Sequence, residues 1–297
     1  MSTWIRECTL SWLQRLALKA LRTGQVPRHV AFIMDGNRRY ANKQNLAKTE
    51  GHARGFEKMS EALGWCTELG ITEITVYAFS IDNFKRSKEE VDDLMELARQ
   101  KFQGLLDNSK NIMENGVCIR VIGNLSLLPE NIRKLISQVI IMTKNNNKTN
   151  LNIAFAYTSR DEITNAIKDI TTAVKRTDIL PEDINEDLIS DCLYTYHSTN
   201  PDLLIRTSGE IRLSDFLMWQ ISETCLYFSN VLWPEFCVWD FIHAIFYYQK
   251  CYPDIKRMIK KQSLVRKHNN RVATYVDKLH HERESMIENF SLPAVQS

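Results

Sequence analysis

Six short apolar runs recur along the chain with helical patterns between them: HVAFIM (His29 to Met34), ITVYAF (Ile74 to Phe79), VCIRVIG (Val117 to Gly123), LNIAFAY (Leu151 to Tyr157), LLIRT (Leu203 to Thr207) and LYFSN (Leu226 to Asn230). Strands that alternate with helices are joined by crossovers, and crossovers make neighbouring strands parallel. Several runs are apolar on both faces, as a sheet covered on both sides requires. The expected fold is therefore α/β, a single domain with a mostly parallel six-stranded sheet flanked by helices. The 297 residues suffice for one large core.

The intervening segments carry start and stop signals. Phe56, Met59, Leu63, Cys66 and Leu69 recur at helical spacing and stop at Gly70, a C-cap residue. Ser87-Lys-Glu-Glu90 and Ser159-Arg-Asp-Glu162 fit the capping box, so helices are expected to begin there. In the first of these, Val91, Met95, Ala98, Phe102 and Leu105 share a face, which spacing alone reads as core packing or as the wall of an apolar tunnel. KNNNKTN (Lys144 to Asn150) is expected to be a surface loop.

Two segments differ from the domain proper, taken as residues 25–252. Residues 1–24 read as a basic amphipathic helix, with Ile5, Thr9, Trp12, Leu13, Leu16 and Ala20 on one arc and Arg15, Lys19 and Arg22 along its edge. Such a helix either packs on the domain or lies at a membrane surface. Its basic interruptions, with no small-residue cleavage site, argue against a signal peptide. Residues 253–297 lose glycine and strand patterns while Lys256, Arg257, Lys260, Lys261, Arg266, Lys267 and Arg271 accumulate, so a solvated basic helical tail is expected, with a partner-binding or lipid-headgroup surface as the alternative.

Composition removes several classes. The 38 basic and 36 acidic side chains leave no net field to draw nucleic acid. Seven cysteines without a CxxC pair read as reduced thiols, not zinc ligands. No apolar stretch approaches the roughly 20 residues of a spanning helix. GxxxxGK[ST], GxGxxG and GxSxG are absent, against the P-loop, dinucleotide and hydrolase-elbow classes.

An open α/β sheet binds ligands beyond the carboxyl ends of its strands. Asp35, Gly36, Asn37, Arg38 and Arg39 follow the first run; Ser80, Asn83 and Arg86 follow the second; Arg206, Arg212 and Ser214 accompany the fifth. Glycine permits close backbone approach, and guanidinium groups are planar, charge-assisted donors to phosphate. An acid among them suits a Mg²⁺ bridging carboxylate and phosphate. Three donor-rich strand ends in a chain of near-zero net charge point to a polyphosphate site, with donors enough for two diphosphates. Joining two diphosphate substrates is favoured over hydrolysing one. A Mg²⁺-dependent phosphohydrolase is the alternative, weakened because Asn37 stands where a second acid would be.

HVAFIMDGNRRYA, GHARGFEKMSEALGWC, YAFSIDNFKR, DLLIRTSGEIRLSDFLMWQ and LYFSNVLWPEF, in this order and spacing, resemble motifs of the cis-prenyltransferases over residues 24–248, most of all their eukaryotic, dolichol-forming members. The resemblance implies a transferase that adds isopentenyl diphosphate units to farnesyl diphosphate, each new double bond cis, to give a long-chain polyprenyl diphosphate for dolichol synthesis. By matching positions it implies Asp35 as the Mg²⁺-associated carboxylate. Gly36, Asn37, Arg38, Arg39, Lys48 and Arg86 would hold the allylic diphosphate; His52, Ser80 and Asn83 would flank the reacting ends; Arg206, Arg212 and Ser214 would grip isopentenyl diphosphate. It also implies a product tunnel beside the helix of Met95, Phe102 and Leu105, and a peripheral station on the cytosolic face of the endoplasmic reticulum membrane.

Two departures from the family pattern stand out. Single-chain bacterial members carry a Mg²⁺-associated glutamate where Cys225 stands here, and an Arg-x-Gly near their end that nothing after Trp239 matches. The resemblance therefore implies a related accessory subunit, of the Nogo-B receptor kind, that supplies Arg-x-Gly in trans. A non-catalytic scaffold of the same fold is the competing reading; the retained Asp35, Arg39, Arg86, Arg206 and Arg212 count against it.

Overall fold

The structure, a computed structural model, describes residues 10–260 and 269–291. Strands β1 (His29–Ile33), β2 (Glu73–Ser80), β3 (Val117–Ile122), β4 (Thr149–Tyr157), β5 (Leu203–Arg206) and β6 (Cys225–Phe228) form one sheet in the order β3-β4-β2-β1-β5-β6. Every pairing is parallel. The helices are α1 (Trp12–Leu21), α2 (Asn37–Lys43), α3 (Lys48–Leu69), α4 (Lys88–Asp107), α5 (Ser109–Asn115), α6 (Glu130–Thr143), α7 (Ser159–Lys175), α8 (Glu186–Cys192), α9 (Val238–Lys260) and α10 (Asn270–Ser291).

Side chains alternate across a strand, so each run feeds two cores. Val30, Phe32, Val76 and Ile205 pack with Met59 and Leu63 of α3, Phe102 of α4 and Phe241 of α9. Ala31, Ile33 and Leu204 instead meet Phe216, Leu217 and Ile221. Each fully buried large apolar side chain contributes about 1.5–3 kcal/mol.

The helix signals hold with local corrections. α3 stops at Gly70, whose φ of 86° suits glycine. Ser87 caps α4 by accepting from the Glu90 N–H, but the Glu90 carboxylate does not close the box and turns to neighbouring cations. α7 is capped by Thr158 and not Ser159, because Ser159 spends its N–H on the Asp215 carbonyl and its Oγ on the Met218 N–H. Of KNNNKTN, the last two residues already belong to β4.

Ile5 and Thr9 lie outside the described residues. In α1 the residue that buries is Leu18, whereas Trp12, Leu13 and Leu16 are 72, 52 and 56 % exposed. α1 packs on α9 and α3, so its apolar arc faces outward.

Lys261, Arg266 and Lys267 of the expected tail lie outside the described residues; for α10 the expectation of a solvated helix is corrected. α9 runs through Pro253 without a break at residue 252. Val272, Tyr275, Val276 and Leu279 of α10 then bury with Ile170 of α7 and Leu188 of α8. Arg271 grips Asp183 with two bonds of 2.9 Å, and Arg283 donates to Asp169 and to the carbonyls of Cys192 and Leu193. The abundance of charge in the tail masked an i, i+3, i+4, i+7 stripe.

Candidate active site

β2, β1 and β5 are parallel neighbours, so their carboxyl ends emerge together. The three donor clusters consequently meet around one cleft of about 460 Å³, lined by Asp35 to Arg39 together with His52, Ser80, Asn83, Arg86, Arg206, Arg212 and Ser214. Lys48 is not in the lining; it stands at the rim, 3.4 Å from Glu90.

The turn after β1 needs its glycine. Gly36 has φ 107°, and a Cβ there would strike the Ser208 hydroxyl. Asp35 accepts from the Gly36 N–H at 2.7 Å and pairs with Arg206 at 3.0 Å and Arg39 at 3.7 Å. Thr207 and Ser208 hydroxyls donate to the Asp35 carbonyl at 2.9 and 2.7 Å. From the other side, α2 lies close on α3, because a Cβ on Gly51 would meet the Asn37 carbonyl and one on Gly55 the Asn37 side chain. This packing sets Asn37 and His52 in the cleft wall, where Asn37 Oδ1 and His52 Nε2 are buried without a hydrogen-bond partner.

Charges in the cleft are tightly coupled. Glu90 lies 2.9 Å from Arg86, 3.6 Å from Arg38 and 3.4 Å from Lys48. Burial acts to raise its pKa, but the three cations outweigh burial and hold it below the usual range. Burial, then Arg86 and Arg38, push His52 down to about 4, so its imidazole is neutral near pH 7. Arg206 is 2 % exposed and donates to Asp35, to Ser214 Oγ at 2.8 Å and to the Arg212 carbonyl. It thus braces the loop carrying Arg212 and Ser214 from beneath. Ser80 and Asn83 cap one another: Ser80 Oγ accepts from the Asp82 N–H, and Asn83 Oδ1 from the Ser80 N–H.

Several residues in or beside the cleft escaped the sequence reading. Glu90, which pairs with the cleft's Arg38 and Arg86 without lining it, showed only as half of a capping box, and Arg160, a lining residue whose Nε lies 3.1 Å from Asp215, as filler inside another. Tyr77 looked like one more apolar strand residue. Cys225, where the resemblance places an acid in bacterial members, pairs with Leu203 at the amino end of β6, while Phe228 and Arg206 mark the end facing the cleft.

Among the described residues no three His, Cys, Asp or Glu side chains group as a metal cage. Asp35, its side chain 33 % exposed, sits between Arg39 and Arg206, while Asp82 and Asp215 also line the cleft. Mg²⁺ characteristically takes one or two carboxylates and completes its shell with substrate phosphate and water, and this donor set fits that arrangement.

Under the cleft an apolar cavity of about 120 Å³ runs between α3, α4 and the sheet, lined by residues such as Phe56, Met59, Leu94, Leu97, Phe102 and Phe155. Asn37, His52, Tyr77 and Phe79 belong to both walls, so the cleft opens directly into the cavity. One turn further along both helices, Leu63 and Leu105 bound a smaller apolar space. The face expected on α4 is the buried one, with Met95 in the core and Val91 packed against it; Ala98 and Phe102 line the first cavity with Leu94 and Leu97 beside them, and Leu105 lines the second.

Converging phosphate donors that open into an apolar tube suit a diphosphate on a hydrocarbon chain. The class agrees: residues 33–254 match the family model described as "Putative undecaprenyl diphosphate synthase", and the chain belongs to this family of cis-prenyltransferases. More particularly, it is 53 % identical over 247 residues to the dehydrodolichyl diphosphate synthase complex subunit DHDDS of Homo sapiens, covering 83 % of this chain and 74 % of that one. It is 45 % identical to the tritrans,polycis-undecaprenyl-diphosphate synthase (geranylgeranyl-diphosphate specific) of Pyrococcus furiosus, with 80 and 89 % of the two chains covered. Lavandulyl diphosphate synthase from Lavandula x intermedia, solved in complex with dimethylallyl diphosphate, superposes with a TM-score of 0.72 at 33 % identity, covering 75 % of this chain and 95 % of that one.

Proposed function

We propose that the chain condenses isopentenyl diphosphate units onto farnesyl diphosphate with cis geometry, yielding a dehydrodolichyl-type polyprenyl diphosphate for dolichol synthesis. The observation that carries this reading is the junction of polar cleft and apolar cavity at Asn37, His52 and Tyr77. An allylic diphosphate bound there lays its head among Gly36, Asn37, Arg38, Arg39 and Arg86, with Lys48 at the rim, and its chain between α3 and α4. Arg212 and Ser214, braced by Arg206, take isopentenyl diphosphate. The new bond joins the allylic C1 to the isopentenyl C4; diphosphate leaves C1 and a proton leaves the isopentenyl C2.

Charge grows on the departing diphosphate, and the fixed guanidinium groups stabilise it without reorganising. Two subsites on adjacent strand ends hold the reacting carbons together, and the apolar wall keeps water from the allylic centre. His52, neutral near pH 7, serves as a hydrogen-bonding group beside Ser80 and Asn83. Asp35 would hold Mg²⁺, which when bound neutralises diphosphate charge.

A related accessory subunit completes the site in trans with its Arg-x-Gly. In support, α9 exposes Trp239, Phe246 and Tyr247 at 46, 63 and 42 %, and β6 is an edge strand of the sheet. The outward Trp12, Leu13 and Leu16 of α1, with Arg15 and Lys19 on the same helix, support peripheral attachment to the cytosolic face of the endoplasmic reticulum membrane. Among the described residues no helix is long and apolar enough to cross a membrane.

The test is Mg²⁺-dependent incorporation of labelled isopentenyl diphosphate into a farnesyl-primed, solvent-extractable product, using the chain alone, with the accessory subunit, and with Asp35→Ala. Long product that needs the subunit and vanishes in the variant supports the reading. Release of inorganic phosphate without chain growth contradicts it.

A further inference from the structure

The loop that carries Arg212 and Ser214 holds a conformation its own residues disfavour. Ser208, Ser214, Asp215 and Leu217 all have positive φ, at 80°, 51°, 59° and 51°. Residues with a Cβ seldom occupy that left-handed region, and such backbone persists only where surroundings enforce it. Part of the enforcement comes from Ser159, whose N–H donates to the Asp215 carbonyl at 2.8 Å and whose Oγ accepts from the Met218 N–H at 2.8 Å.

Arg206 braces the loop from beneath, and a further hold comes from Tyr77 on β2, a strand on the far side of β1 from the loop's own strand, β5. β2 departs from regular register against β4 just after Tyr77: Tyr77 faces Ala154, then Phe79 faces Phe155 and Ser80 faces Tyr157. Bulges of this kind re-aim side chains next to functional sites. The Tyr77 ring lies parallel to Phe216, with centroids 4.4 Å apart and planes 11° apart, and meets Tyr157 edge-on. Its hydroxyl donates to the Tyr157 carbonyl at 3.1 Å and lies 3.3 Å from the Ser214 carbonyl, so one proton is shared between sheet and loop. Tyr77 also borders both the polar cleft and the apolar cavity.

We propose that Tyr77 is a positioning residue for the second diphosphate subsite: it pins the Ser214 backbone so that the Arg212 and Ser214 side chains stand where isopentenyl diphosphate binds. The inference rests on the assignment of Arg212 and Ser214 to that substrate. Its ring fixes Phe216, which lies between the strained Asp215 and Leu217, and its hydroxyl fixes Ser214 itself. The allylic subsite, built on Gly36 to Arg39 and Arg86, receives no hydrogen bond from it.

Tyr77→Phe keeps the ring stack and removes only the shared proton. With the accessory subunit present wherever turnover needs it, the KM for isopentenyl diphosphate should rise five- to twenty-fold at saturating farnesyl diphosphate. The KM for farnesyl diphosphate should stay within twofold, and kcat should change less than the first KM. Equilibrium dialysis of labelled isopentenyl diphosphate against monodisperse protein gives the same comparison without turnover. A purely structural role would lower Tm and active fraction at unchanged KM; that result, or an equal rise in both KM values, overturns the proposal. Arg212→Ala and Ser214→Ala tested alongside separate the two failures. If they raise the isopentenyl KM while Tyr77→Phe does not, Tyr77 loses its role; if they too leave it unchanged, the subsite assignment falls and the proposal with it.

Discussion

Gly51 and Gly104 both lie inside helices, and replacing each by alanine separates helix propensity from packing. By propensity alone either change stabilises, since glycine in a helix interior is disfavoured by about 1 kcal/mol against alanine. The surroundings differ. A Cβ on Gly104 meets nothing within 4 Å, whereas one on Gly51 runs into the Asn37 carbonyl and comes 2.9 Å from Ala41 Cβ. The first obstacle is backbone at the start of α2 and cannot swing aside, so α2 must lift from α3. Overpacking of this kind costs about 1–3 kcal/mol. Gly104→Ala should therefore stabilise by up to about 1 kcal/mol, raising Tm by roughly 2–4 °C, with activity unchanged. Gly51→Ala should come out between neutral and about 2 kcal/mol destabilised after the propensity gain is subtracted. Activity should fall more than tenfold, because the lifted segment carries Asn37, Arg38 and Arg39. Thermal and denaturant unfolding with the incorporation assay read both variants. A Gly51→Ala protein as stable as Gly104→Ala and fully active would refute the claim that close α2–α3 contact builds the diphosphate site.

Other outcomes follow from single environments. Glu162 is fully buried and accepts from Tyr157 Oη, from Thr195 N and Oγ1, and from Gln220 Nε2; Glu162→Gln puts a donor against these donors and should cost about 1–3 kcal/mol in urea unfolding. His52 has a folded pKa of about 4 against 6.5 unfolded, so the unfolded state takes up the proton first and stability is lost as pH falls from about 6.5 to 4. The loss from this group should approach 3 kcal/mol, and His52→Gln should flatten the slope of denaturation midpoint against pH over that window. Arg283→Ala strips three acceptors of α10's anchor and should destabilise by about 1.5–3 kcal/mol; a change under 0.3 kcal/mol would mean that α10 is dispensable for stability.

The sheet was legible because its signal is local. Each of the six runs became a strand within a few residues of its expected limits, since an apolar stretch covered on both faces has few other uses. DGNRR could likewise be placed at a strand end from its glycine and from the run before it. What stayed hidden depends on approach in space. Glu90 resembled a cap because spacing to Ser87 is local, whereas its three cations come from α2, from α3 and from the turn before α4. Tyr77 acts across β1 on a loop more than 130 residues away. The buried stripe of α10 lost out to the charges around it, which is the usual failure when composition is weighed above periodicity.

The central claim, two diphosphate subsites on adjacent strand ends with the growing chain between α3 and α4, is tested most directly by an experimental structure. It would contain farnesyl S-thiolodiphosphate, isopentenyl diphosphate and Mg²⁺, with the accessory subunit present. The account predicts one diphosphate among Gly36, Arg38, Arg39 and Arg86, a second on Arg212 and Ser214, and the farnesyl chain against Leu94, Leu97 and Phe102. A single phosphate group at Asp35, with the hydrocarbon outside the α3–α4 cavity, would contradict it.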